Sequence, residues 1–133
     1  MAGYATALRG DPEATYRQID LVGRTGEADG PALVQLLYEE LVRALRVAAH
    51  ATENGNYALK GEKVTRATAI LFALEAGLDF DKGGEVSHTL ARLYRGARNA
   101  IVDASVGHEA QPFLEVASNL EEIAQAWAQA RRA

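Results

Sequence analysis

Apolar residues recur at helical spacing in four stretches of the chain, and no stretch alternates in the two-residue rhythm of a strand. The first stretch opens near Asp29, a good N-cap, with Pro31 tolerated in the first turn. Its stripe is Leu33, Leu37, Leu41, Leu45 and Ala48, and Asn54-Gly55-Asn56 breaks it as a turn. The second runs from Tyr57 to Ala76 on Val64, Ala67, Leu71 and Leu74, with Gly77 as its stop. After the loop Leu78 to Gly84, the third runs from Glu85 to Ser105 and uses Val86, Leu90, Leu93, Ala97 and Ile101. Past Gly107, the fourth runs from Ala110 to Arg131 on Phe113, Val116, Leu120, Ile123 and Trp127. Four helices of similar length with short connections predict an all-α protein, an antiparallel up-down four-helix bundle over residues 29–133. Residues 1–28, interrupted by glycines and Pro12, are expected to form a partly flexible N-terminal arm or a short extra helix.

Two helices carry more apolar surface than one buried face needs. Ala69 to Leu74 is an unbroken apolar run, and a helix turns fully within four residues. Ile70, Leu71 and Leu74 are expected to point inward, leaving Phe72 and Ala73 directed elsewhere. In the first helix, Val34, Tyr38 and Val42 make a second stripe beside the main one. Such helices are covered on more than one side, by the arm, by another subunit or by a partner segment.

Composition narrows the function classes. The formal charge of −4 lacks the basic footprint of nucleic-acid binding. Absent cysteine excludes disulfides, thiolate metal sites and a cysteine nucleophile. No apolar run has the roughly 20 residues of a membrane span, and Met1 to Gly10 lacks the core of a signal peptide, so the cytoplasm is the expected compartment. His50, His88 and His108 are scattered, and no nucleophile elbow or phosphate loop appears, so no enzyme, cofactor or small-molecule substrate is expected. Glu85-x-x-His88 matches half of a di-iron bundle motif, but its second pair is missing and no metal site is expected. Arg92, Arg95 and Arg98 form a basic ridge, read either as a solvated face or as a seat for an acidic partner. Glu39 with Arg43 and Glu62 with Arg66 are spaced as helix-supporting pairs.

The loop before the third helix is more specific. Leu78-Asp79-Phe80-Asp81-Lys82-Gly83-Gly84-Glu85-Val86, trailed by Leu90, Leu93 and Tyr94, resembles the signature Leu-Asp-Phe-Glu-Lys-Gly-Gly-Glu-Ile of the FliS family. Leu33 to Tyr38 is similar to that family's Leu-x-x-Met-Leu-Tyr, and Tyr16 with Gln18 to its Tyr-x-Gln. The likeness spans about residues 14–130. It departs at Glu27 to Pro31, at Glu39-Glu40, at Ala73 and at Gly96. The resemblance implies a cytosolic chaperone that wraps the disordered C-terminal segment of flagellin, blocks premature polymerisation and delivers the subunit to the flagellar type III export gate. Joined to the surplus stripes, it places a flagellin groove at Tyr16, Ile19, Val34, Leu37, Tyr38, Phe72, Phe80, Leu90, Leu93 and Tyr94. It assigns Tyr16 the contact with the export-gate protein. A helical interaction module or homodimer with an unrelated client is the other reading of the same surfaces.

Overall fold

The turn after the first long helix and both ends of the second have local causes. The computed structural model describes residues 30–132, so the arm, with Tyr16, Ile19 and the expected cap Asp29, lies outside the described residues. Helix α1 is Gly30–Glu53. It ends where Gly55 takes φ +69, a conformation that glycine adopts without strain. The Asn56 N–H then closes on the Ala51 carbonyl at 2.8 Å. The same Asn56 starts α2, Tyr57–Ala76, because its side chain accepts from the Leu59 N–H. The Gly77 N–H donates to the Ala73 carbonyl and finishes α2. A one-turn helix unforeseen in the pattern, α3, follows at Phe80–Gly83 and is capped by Asp79, whose Oδ1 accepts from the Lys82 N–H at 3.0 Å. Then come α4, Glu85–Ser105, and α5, Gln111–Arg132.

The long helices form a ring: α1 packs on α2 and α5, α2 on α4, and α4 on α5. Cross-links fix the directions. Lys60, early in α2, donates to the Gly107 carbonyl just beyond α4, whereas Glu75, late in α2, bonds Arg95 and Arg98 in the middle of α4. The two helices are therefore antiparallel. Lys60 is only 6% exposed, and its ammonium is held at 3.0 Å by that carbonyl and lies 5.1 Å from the Tyr57 ring centroid. A lysine buried this deeply needs such partners.

Alanines at 44, 48, 67, 91, 97, 104, 117 and 124 line the interior, where they let the helix axes approach, and Leu41, Leu45, Ile70, Leu71, Ile101, Phe113 and Leu120 fill it. Tyr38 and Tyr94 meet across the bundle diagonal, with hydroxyls 2.6 Å apart. Burial pushes the Tyr38 phenol up, and hydrogen bonds with Tyr94 and Trp127 oppose that shift. The surplus stripes of α1 are covered inside the fold: Tyr38 and Val42 are buried because α1 has a neighbour on each side. Ala73, expected to point away from the core, is fully buried, while Phe72 stays 38% exposed.

Candidate client-binding surface

The register of α4 decides which apolar side chains reach the surface. Its buried line is Ser87, Ala91, Tyr94, Ala97, Ile101 and Ala104; it keeps the expected Ala97 and Ile101, but over the first half of the helix it runs one position later than the expected Val86, Leu90 and Leu93. Val86, expected inside, is 66% exposed, and Leu90 and Leu93 are half-buried at the edge of the core. The cause lies in the preceding loop. Ser87 Oγ donates to the Asp79 carbonyl at 2.9 Å, which ties the first turn of α4 to the start of α3. Gly83 makes room for that hydroxyl, since a Cβ built there would stand 2.0 Å from it. Gly84, at φ +55 and ψ −127, makes the sharp turn between α3 and α4. A hydrophobicity count overlooks a small polar residue such as Ser87, which is why the apolar pattern points to Val86 instead at the start of α4.

Arg95 and Arg98 identify the flank of α4 that faces α2, because both bond Glu75, at 2.9 and 2.6 Å. Residues two apart on a helix diverge by about 160°, so Leu93 points away from Arg95. Val86, Leu90 and Leu93, spaced four and three apart, therefore run down the flank turned toward α5. On α5, Ile123 and Trp127 are also half-buried at the margin of the core. Together these residues supply the apolar, partly uncovered flank that a helical partner needs, and they include no acid–base pair.

The other sequence-predicted site residues are dispersed. Leu37, Tyr38 and Tyr94 are interior, so in this conformation they support the surface from beneath and present none of their own. Val34 is half-buried against the core. Phe80, 42% exposed, packs against His88 with ring centroids 4.8 Å apart and the rings tilted by 46°. Phe72 lies under the Arg98 guanidinium, 4.1 Å from its ring centroid. The basic ridge is partly neutralised: burial would raise the Glu75 carboxyl, but hydrogen bonds from Arg98 and Arg95 hold it below the usual carboxylate range. Among the described residues, Arg43 bonds Glu40 and not Glu39, and Arg66 reaches the same Glu40 at 2.8 Å, tying α1 to α2. Glu85 and His88 do not converge on a site, since Glu85 faces Arg92 at 3.9 Å and His88 lies on Phe80.

The family described as Flagellar protein FliS matches residues 12–133. The chain is 33% identical over 115 residues to a flagellar secretion chaperone FliS of Salmonella typhimurium, covering 86% of this chain and 85% of the relative. It is 28% identical over 122 residues to a chaperone of the same name from Vibrio cholerae, covering 92% and 89%. A third, from Campylobacter jejuni, is 32% identical over 95 residues, covering 71% and 74%. With the loop signature, the all-helical ring and a match across nearly its whole length, the chain belongs to the FliS family of flagellar proteins.

Proposed function

We propose that this protein is a flagellar export chaperone, and not an enzyme, that holds the C-terminal segment of flagellin on the apolar flank of α4. The observation that carries the reading is the α4 register, which leaves Val86 66% exposed beside half-buried Leu90 and Leu93. A disordered amphipathic tail gains helix and buries its own apolar face when it docks on such a flank. Phe72, Phe80 and Val34 are further apolar positions at which an extended client would continue. Held in this way the tail is withdrawn from polymerisation, and the complex is delivered to the export gate from the cytosol. No helix among the described residues is long and apolar enough to cross a membrane. The relatives' shared name, flagellar secretion chaperone, supports the same role.

The test is titration of a flagellin C-terminal peptide against Val86→Asp and Leu93→Asp. An aspartate desolvated beneath a docked helix lacks a partner, so each variant should bind about 2 kcal/mol or more weaker, roughly thirtyfold. Val86 is exposed, so Val86→Asp should keep the wild-type circular dichroism and melting temperature. Wild-type affinity in both folded variants would remove this flank from the client site.

A further inference from the structure

The flank of α4 that faces α2 carries exposed apolar residues of its own. Val102 lies seven positions beyond Arg95, two helical turns, so it shares the flank that Arg95 and Arg98 mark. Val106, which caps α4, follows four positions later on the same line. Val102 is exposed and Val106 is 82% exposed, the highest value among the large apolar residues described. Across the seam, the exposed Tyr57 ring meets His108, two residues beyond Val106, at a centroid distance of 6.0 Å. Gly61 stands one turn further along α2. Inside a helix glycine is about 1 kcal/mol less favourable than alanine. A Cβ at Gly61 would meet nothing within 4 Å, so packing among the described residues does not call for a glycine there. The other end of the seam is cationic. Glu75 is shared between Arg95 and Arg98, and Glu85 approaches Arg92 only to 3.9 Å with both side chains well exposed, a contact that water screens. An apolar end, a gap at Gly61 and a positive end therefore follow one another along the seam, on a chain whose net charge is −4.

We infer that the α2/α4 seam is a docking site for an acidic amphipathic helix of a protein other than the client. Two packed antiparallel helices leave a groove between them that a third helix fills with its apolar face. From Arg92 to Val106 the seam runs about 21 Å, the length of a four-turn helix. The apolar side chains of the partner cover Val102, Val106 and the Tyr57 ring, and Gly61 lets its backbone approach closely. Its carboxylates meet Arg92 and Arg95. Arg95 bonds Glu75 through Nε, and its terminal nitrogens carry four more N–H donors. A basic helix of the same apolar pattern is repelled at that end. The seam lies across α4 from Val86, Leu90 and Leu93, so a client on that flank leaves it open.

The test uses the full chain and two synthetic helical peptides of about 15 residues, four turns. They share one leucine stripe and differ only in carrying glutamate or lysine beside it. Fluorescence anisotropy at low salt should show the glutamate peptide binding at least about tenfold tighter than the lysine peptide. Val102→Asp and Arg92→Glu should each weaken the glutamate peptide at least about tenfold. Both positions are exposed, and Arg92→Glu leaves the Glu75 pairs in place, so circular dichroism should match the wild type. Val86→Asp should not change binding of the glutamate peptide, and Val102→Asp should bind the flagellin C-terminal peptide with wild-type affinity. These two controls separate this seam from the proposed client flank. No binding of the glutamate peptide at sub-millimolar concentration, or equal binding of the two peptides, would overturn the inference. So would wild-type affinity in both folded variants, or displacement of the glutamate peptide by the flagellin segment, which would assign the seam to the client.

Discussion

Replacing Gly83 by alanine places a methyl group where Ser87 Oγ already sits. The added Cβ would lie 2.0 Å from that oxygen and 3.2 Å from Ser87 Cβ, so Ser87 must rotate away or α3 must shift. Either response breaks the 2.9 Å bond to the Asp79 carbonyl. A lost hydrogen bond costs about 1 kcal/mol and overpacking about 1–3 kcal/mol, so Gly83→Ala should destabilise by about 2–4 kcal/mol before any offset. The better helix propensity of alanine returns no more than about 1 kcal/mol of this. Ser87→Ala alone loses only the hydrogen bond, about 1 kcal/mol. In the double variant the 2.0 Å clash has no oxygen left, and the hydrogen bond cannot be lost a second time. The pair should therefore cost at least about 1 kcal/mol less than the sum of the singles. Urea unfolding of the four proteins measures the coupling, with the slope checking that the denatured states are comparable. Additive costs would show that Gly83 and Ser87 do not act together, and the account of how the loop sets the α4 register would fail.

Tyr38 is fully buried, so Tyr38→Asp should unfold the bundle, seen as loss of the cooperative thermal transition, whereas Val86→Asp on the exposed flank should not. A folded Tyr38→Asp variant would contradict the packing described for α1. Glu75 gives an acid-range signature. Its folded pKa lies below its unfolded value, so its ion pairs contribute stability that is present above the unfolded value and is lost as pH falls through the folded one. Wild-type stability should therefore fall more steeply than that of Glu75→Gln below about pH 4.3, the ordinary glutamate range, in melts recorded against pH. Parallel curves for the two proteins would mean that Arg95 and Arg98 do not depend on that carboxylate.

Much of the architecture was legible because it rests on local chemistry. The turn at Asn54-Gly55-Asn56 and the limits of α2 follow from caps and stops that act within a few residues. The four-helix ring follows from apolar spacing and short connections. The loop signature also pointed to the family, and its two glycines prove to have distinct local reasons, a close hydroxyl at Gly83 and a positive φ at Gly84.

Rotation of a helix about its own axis is not local, and here only the tertiary structure decided. Val86, Leu90 and Leu93 look like a core face when hydrophobicity is the measure. Ser87 and Ala91 displace them because small side chains allow closer approach, and because Ser87 finds a carbonyl partner eight residues back. Tyr38 and Tyr94 had the look of surface aromatics beside a groove, but 56 residues of separation hid the hydroxyl pairing that makes them core. The partners of charged groups were hidden for the same reason. Glu40 binds Arg66 across the helix pair, and Glu75 gathers two arginines of the ridge, pairings between residues 20 or more positions apart that packing brings together. The amino-acid pattern carries the four long helices and the family, because spacing and turns act locally; tertiary packing chose the short α3 and which face of each helix water or a client can touch, since that depends on the volumes and hydrogen-bonding groups of neighbours distant in the chain.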